Sequence, residues 1–419
     1  MSSALKSALS RFRLGVERRL WDMWPPVTAN KTTRQPSAMW TRRRVRDLSL
    51  GERRLQAQVA ADPMHLHHFE CSEHSQNGED GIIAEIFTRI GSGTRSFIEV
   101  GASDGVENCT RALLERGWSG VWIEGDGQKA LAARRMIGSR PVTVVHAFVD
   151  RESILAILSR SGAPISPDLL VIDLDGNDYW VWEAIAPTFK ARVVVIEYNA
   201  VVGPRLNWVM TYDPSHRWDG TRRHGASLSA LASLGSRLGY VLVGCDSQGV
   251  NAFFVRSSEA QGFSLRRVRG HFVGPRYGLP FGHPRHAFPA FEADPVPEGE
   301  AGLVRLRITR PRSSEVRRSG LVYVAAAADN GASVPIGSSA STPVQLANRW
   351  INEDGHRLDG EPERSTQNWR ADPGSTAHLV GRAKAPEAPG RYVLEFALVQ
   401  ESVRWFDESV EQAGVWTVS

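Results

Sequence analysis

The chain has 419 residues, of which 42% are hydrophobic and 23% charged. This composition excludes a mainly disordered polypeptide, and the length suits two or three domains. The formal net charge is only +4 and much of the basic excess lies near the N-terminus, so nucleic-acid binding by the folded body is not implied.

Cys71, Cys109 and Cys245 lie far apart in the sequence and make no disulfide framework. Reduced thiols and a cytosolic setting are the expectation. No apolar run reaches membrane-spanning length, and no apolar secretory segment opens the chain. A cytoplasmic protein is expected.

Residues 1–63 form a basic leader, with Arg42, Arg43, Arg44 and Arg46 among its arginines. Phe12, Leu14, Leu20, Trp21 and Trp24 can build a short amphipathic helix suited to an anionic membrane or a partner. No clean period is sustained, so a loosely packed leader is the alternative. Next, His65, His67, His68, Cys71 and His74 crowd together. Their spacing fits no standard zinc pattern, which favours surface or packing roles.

Residues 64–256 alternate helical and strand patterns. Ile82 to Ile90 reads as a helix and Phe97 to Val100 as the first strand. A helix at Cys109 to Arg116 precedes the second strand, Gly120 to Glu124, and a helix at Gln128 to Met136 precedes the third, Val142 to Phe148. The fourth strand, Leu169 to Asp173, is an apolar run of the kind buried on both faces of a parallel sheet. A helix at Tyr179 to Ile185 leads to the fifth strand, Arg192 to Tyr198. A long loop with Trp208, Tyr212 and Trp218 follows. Ser227 is a plausible N-cap for a helix at Leu228 to Leu238, which Gly239 ends. The last strands, Tyr240 to Gly244 and Val250 to Arg256, are joined too tightly for a crossover helix and must be antiparallel.

Residues 257–300 are rich in Gly, Pro, His and Arg and read as a linker or wrapped excursion. Residues 301–419 change character. Short strands at Leu303 to Ile308, Gly320 to Ala326, Val344 to Ile351, Ser375 to Arg382, Arg391 to Gln400 and Val415 to Val418 point to an all-β, immunoglobulin-like sandwich. The fold expected is therefore α/β, a Rossmann-like parallel sheet with a terminal antiparallel hairpin, followed by that sandwich.

Chemistry concentrates at Ser96 to Gly105, S-F-I-E-V-G-A-S-D-G. A strand that breaks into glycine lets backbone N–H groups approach a ligand. Glu99 and Asp104 would repel a pyrophosphate, which prefers the neutral G-x-G-x-x-G turn. They suit hydroxyls, amines or positive charge, the groups that S-adenosylmethionine carries. Glu124, at the end of the second strand, is placed for a ribose diol; a surface carboxylate is the alternative.

Three acids, Asp173, Asp175 and Asp178, crowd the end of the fourth strand. If Asp173 and Asp175 alternate as in a strand, they face opposite sides and cannot all bind one ion. Oxygen ligands at Asp173 and Asp175 would suit Mg²⁺; helix capping by Asp178 and substrate hydrogen bonding are the alternative. Glu197 and Asn199, at the end of the fifth strand, can bond substrate hydroxyls or simply shape a loop. His224, in Arg222 to Ser227, is the best-placed histidine for general-base work.

The stretches S-Q-N-G-E-D-G-I-I (75–83), F-I-E-V-G-A-S-D-G-V-E-N-C-T (97–110), V-I-D-L-D-G-N-D-Y (171–179) and V-I-E-Y-N-A (195–200) resemble the FkbM-like class I methyltransferases, especially a branch found with polysaccharide and lipopolysaccharide genes. The resemblance spans Ser75 to Arg256 and implies S-adenosylmethionine-dependent O-methylation, often of sugar hydroxyls. Glu99, Gly101, Asp104 and Glu124 match the family's cofactor positions, and Ser103, Gly105 and Asn108 on the same turn are further expected cofactor contacts. The resemblance places Asp173 and Asp175 where related sugar methyltransferases hold substrate or metal acids; with His224 they are the expected catalytic residues, and Asp178, Glu197 and Asn199 are the expected substrate contacts. A carbohydrate acceptor is the implied partner. The stretch 385–401 is similar to β-sandwich modules of bacterial glycan-assembly enzymes. The rival readings are a non-catalytic nucleoside- or glycan-binding module, a metal-dependent glycosyltransferase using the D-x-D at Asp173 to Asp175, and a dehydrogenase, which lacks its glycine motif.

Overall fold

The structure is a computed structural model that describes residues 59, 61–219, 221–276, 294–308, 315–338, 340, 342–358, 369–400, 404–406 and 410–419. The amphipathic helix expected before residue 59 and the centre of the expected linker, 277–293, lie outside the described residues.

Seven strands form the first sheet: β1 (Ser96–Val100), β2 (Ser119–Glu124), β3 (Val142–His146), β4 (Leu169–Ile172), β5 (Val193–Glu197), β6 (Tyr240–Cys245) and β7 (Asn251–Arg256). Their order is β3-β2-β1-β4-β5-β7-β6. β1 to β5 run parallel, and β7 is antiparallel to both β5 and β6. The sheet is thus a mixed parallel and antiparallel one, with the terminal hairpin that the short 245–249 connection dictates.

Every residue of β4 is buried, as is Val193 to Ile196 of β5, because helices cover both faces. On one face Phe97, Trp122, Val171 and Val195 pack against α1 (Glu79–Ile90), α2 (Arg111–Glu115) and α3 (Gly127–Ile137). On the other, Ile98, Ile123, Leu170 and Val194 pack against α4 (Ile154–Arg160), α5 (Asp178–Ile185) and α6 (Leu228–Leu238). Alternate residues of each strand serve opposite cores, the period of two that a pleated strand imposes. Residues 257–276, read as the start of a linker, pack on this unit: Phe263 and Val273 are core residues, and Tyr198 donates to Val273 O at 2.7 Å. Ser227 caps α6 by accepting from Ala230 N–H, and Gly239 ends it at φ +86°.

Three of the boundaries that differ from the sequence reading bear on the site. β3 stops at His146, which frees Phe148; the helix after β1 is a short turn at Arg111–Glu115; and β4 stops at Ile172, which leaves Asp173 outside the strand. Helix α4 was not foreseen, because its seven residues carry too little periodic signal.

The C-terminal strands form two main sheets. One pairs Leu321–Asn330 with Thr376–Lys384 and Val304–Ile308; the other joins Val344–Ile351, Gly390–Gln400 and Glu411–Val418, with a short parallel partner at Glu315–Val316. Both contribute to one apolar core. Gly381 permits their close approach, since a Cβ there would lie 2.6 Å from the Phe396 ring. Asn348 and Trp350 donate across to the carbonyls of Arg382 and Lys384, both at 2.8 Å.

A buried charge cluster joins this unit to the first. Glu85 on α1 pairs with Arg89 at 2.9 Å and Arg382 at 2.7 Å, and accepts a hydrogen bond from Tyr323. The Arg89 guanidinium lies 4.6 Å from the Tyr323 ring centre.

Candidate functional site

The carboxyl edge of β1, β2 and β4 carries the site. β1 ends in Gly101 at φ +91°, where an added Cβ would lie 1.8 Å from the Asp173 carbonyl oxygen. Only glycine lets the two strand exits touch. Gly101 and Ala102 donate their N–H groups to Ile123 O at 2.9 and 3.1 Å, which pins the turn to β2. Ser103 adopts φ +53°, a costly conformation for a non-glycine residue, and donates its N–H to Glu124 Oε2 at 2.8 Å. Glu124 Oε1 accepts from Asp126 N–H at 2.7 Å.

Glu99 supports the turn from beneath. It is buried, accepts from Cys109 N–H at 3.0 Å and from the Thr110 hydroxyl, and burial pushes its carboxyl up to about 7. Asn108 bonds Ala102 O and Arg111 N–H, and Gly105 leaves room for Trp122 and Met136. Asp104 accepts from Val106 N–H. Of the cofactor residues expected from the sequence, Gly101, Ser103 and Glu124 line the cavity. Glu99, Asp104, Gly105 and Asn108 are not on its wall; they shape the turn that is.

That cavity holds about 690 Å³. Its floor is the β4 exit. Because β4 ends before Asp173, the alternation argument that separated Asp173 from Asp175 does not apply. Asp175 sits at φ +54°, and the carboxylate oxygens of Asp173, Asp175 and Glu197 come within 4.8 Å of one another. Among the described residues no lysine or arginine pairs with any of the three. Asp173 is exposed to the cavity; desolvation by the surrounding walls, then repulsion from Asp178 and Asp175, pushes its carboxyl up. Glu197 is raised for the same reasons, burial first and Asp173 second.

None of the three expected substrate contacts, Asp178, Glu197 and Asn199, is on the cavity wall. Asp178 is fully buried and accepts N–H bonds from Leu174 and Gly176 at 2.8 and 2.9 Å, so it folds the floor loop. Its carboxyl is pushed up to about 6 by burial. Asn199, also fully buried, donates to the carbonyls of Arg222 and His224 at 2.7 and 2.9 Å and positions that loop. His224 is buried and off the cavity wall, behind Trp218. Its Nδ1 lies 3.9 Å from Glu197 Oε1, and burial lowers the imidazole's affinity for a proton. His224 Nδ1 and Glu197 Oε2 are both buried without a hydrogen bond.

The opposite wall was not anticipated. Phe148, Lys129, His216, Arg217 and Trp218 line the cavity. The loop after β5 is tied down by Asn177, which donates to Asp213 O at 2.7 Å, and by Trp180, which donates to Met210 O at 3.1 Å. His216 Nε2 meets Asp175 O at 3.2 Å, and Gly176 makes room for its ring. The Arg217 guanidinium stacks 3.9 Å over Phe148. Phe148 had a readable signal in its position just after the third strand, where open α/β sheets bind ligands; extending the strand over it concealed that.

The N-terminal histidines lie apart from this cavity. His67 and His68 bond backbone carbonyls of Cys245 and Val59 at 2.7 and 2.8 Å, and His74 bonds Glu115. Nearby, Glu79 of the 75–83 stretch binds Asn77 and Asn251, which ties this segment to the terminal hairpin.

No protein-family model matches the chain, and no curated protein matches it. Solved structures similar to part of it include the mitomycin 7-O-methyltransferase MmcR, at 17% identity over 42% of this chain and 53% of that one, with a TM-score of 0.27. Another is the O-methyltransferase NcsB1 from neocarzinostatin biosynthesis, solved with S-adenosylmethionine and 2-hydroxy-5-methyl naphthoic acid, at 18% identity over 39% of this chain and 49% of that one, TM-score 0.26. The CARDB domain of PF1109 from Pyrococcus furiosus is similar at 15% identity over 28% of this chain and 94% of that one, TM-score 0.18. The chain spans about half the length of the first two structures.

Proposed function

We propose that the chain is an S-adenosylmethionine-dependent O-methyltransferase acting on a sugar hydroxyl in bacterial surface-polysaccharide assembly, of the FkbM-like type. In this reading it works in the cytoplasm, with the basic N-terminus as a point of membrane contact, and its C-terminal sheets are an immunoglobulin-like sandwich. The observation that carries the reading is the cavity over Gly101, with Glu124 held at its edge by two backbone N–H groups and acids on its floor. That floor repels a diphosphate and suits an ammonium and a sulfonium. Each Glu124 oxygen keeps a lone pair for a ligand hydroxyl. The donor set therefore fits the cofactor.

When bound, the cofactor supplies a methyl group on a positively charged sulfur, already activated for displacement. The chain's task is alignment and removal of one proton. Asp173, on the cavity floor with a raised carboxyl pKa, takes the acceptor hydroxyl proton. Asp175 accepts a hydrogen bond from a neighbouring hydroxyl. Glu197 and His224 stand behind them and set the charge of the floor.

The convergence of Asp173, Asp175 and Glu197 favours a second reading of the same floor, in which an oxygen-only set holds Mg²⁺. The same ion would serve a glycosyltransferase that holds a nucleotide diphosphate. Calorimetry with S-adenosylmethionine, S-adenosylhomocysteine, NAD and UDP, with and without Mg²⁺, separates these. Binding of the adenosyl compounds alone is expected. Failure of both to bind sinks methyl transfer, and Mg²⁺-dependent binding of UDP moves the chain to glycosyl transfer. Turnover unchanged by a chelator removes the ion.

A further inference from the structure

The Trp218 side chain lines the cavity and is 42% exposed, yet it is not a loose surface group. Its Nε1–H donates to Thr221 O at 2.7 Å, and its ring packs edge-to-face on His224 with centroids 6.3 Å apart. Its two predecessors are anchored at opposite ends of the cavity. His216 is bonded at the β4 exit, and Arg217 is stacked on Phe148 after β3. Trp218 is therefore a fixed apolar plane on the wall of a cavity whose floor is acidic.

Ligand pockets are lined by aromatic faces with a few placed polar groups, and Trp218 offers such a face to the cavity. The ligand that satisfies this wall and this floor together must be two-sided, with an apolar face for the indole and hydroxyl donors for Asp173 and Asp175. A flat heteroaromatic without hydroxyls would cover Trp218 and leave the carboxylates unpaired, a costly arrangement. A pyranose ring meets both demands, because its axial C–H bonds make one apolar face and its hydroxyls lie around the rim. We propose that Trp218 is the platform on which the acceptor sugar stacks. This rests on the reading of the cavity as a methyl-transfer site, and it makes Trp218 the residue that selects a saccharide ring as acceptor.

The test uses the full chain, wild type, Trp218→Ala and Trp218→Phe. Saturation-transfer NMR is run with methyl α-D-mannopyranoside and methyl β-D-glucopyranoside, with and without S-adenosylhomocysteine, whose affinity is measured separately by calorimetry. At least one glycoside should receive saturation at its ring C–H protons in the wild type and in Trp218→Phe. Its affinity should fall by about tenfold in Trp218→Ala, the scale of one lost ring contact, while the S-adenosylhomocysteine affinity stays within about threefold. A Trp218→Ala variant that loses the adenosyl compound and keeps the glycoside puts the ring on the donor side and overturns the proposal. So does an unchanged glycoside signal, or none in the wild type. A glycoside signal that needs Trp218 in a protein that binds no adenosyl compound keeps the platform and refutes methyl transfer.

Discussion

Glu124→Gln tests both the anchoring of the glycine turn and ligand binding, since the isosteric change should damage both and each has its own assay. Both carboxylate oxygens accept backbone N–H groups, from Ser103 at 2.8 Å and Asp126 at 2.7 Å. A glutamine has one acceptor oxygen, so its amide NH₂ must face one of those N–H donors. One charge-assisted bond is lost and the other becomes neutral. At about 1.5–3 kcal/mol for a bond to a charged group and ~1 kcal/mol for a neutral one, the loss is roughly 2–5 kcal/mol. Water at the cavity edge can rehydrate the freed N–H, which brings the expected cost to about 2 kcal/mol. Ser103, at φ +53°, then loses the contact that holds it there. For a unit of this size ~2 kcal/mol lowers the melting temperature by about 4–8 °C. Scanning calorimetry of the ligand-free protein reads that loss, and titration with S-adenosylhomocysteine should show at least a tenfold weaker affinity. A ligand-free melting temperature within about 1 °C of wild type would refute the anchoring argument, and an unchanged affinity would remove Glu124 from the donor site.

Gly101→Ala places a Cβ 1.8 Å from the Asp173 carbonyl at φ +91°, so the β1 and β4 exits must part. A loss of at least ~2 kcal/mol in denaturant unfolding is expected, and a variant as stable as wild type contradicts the close approach. Glu99 has its carboxyl raised from 4.5 to about 7 by burial, so the folded chain binds the extra proton between those values and stability falls as pH rises through that window. Glu99→Gln should remove a decline of order 3 kcal/mol between about pH 4.5 and 7; parallel pH–stability curves for the two proteins would rule this out. Glu85→Ala removes the buried carboxylate that Arg89 and Arg382 share between the two units, at a cost of about 3–5 kcal/mol. Calorimetry should then show the units melting at separate temperatures, and a single unshifted transition would mean that the cluster does not couple them.

Some of the site was legible before any fold was known. The run Ser96 to Gly105 announces a strand breaking into a glycine turn, and Gly101, Ser103 and Glu124 do line the cavity. The tight 245–249 connection required an antiparallel final pair, which β6 and β7 form. The acids were harder to place. Asp178 and Asn199 look like substrate ligands in the sequence, yet both carboxamide and carboxylate are consumed by nearby backbone groups. His224 stands among flexible-looking loop residues and turns out to be buried. Nothing in residue type distinguishes an acid that folds a loop from one that meets a ligand.

The sequence alone determined the alternation of strands and helices, the glycine turn, the terminal hairpin and the change to β structure after residue 300, because these depend on periodicity and on neighbours a few residues apart. Tertiary structure decided which groups share the cavity. Asp173 and Glu197 meet because β4 and β5 are adjacent and parallel, which brings their ends together. Phe148 and Arg217 meet because the loop after β5 returns across the edge of the sheet to the end of β3. Such contacts depend on strand order and loop path, which no local pattern carries, and for that reason the glycine turn could be read from the chain while the wall that faces it could not.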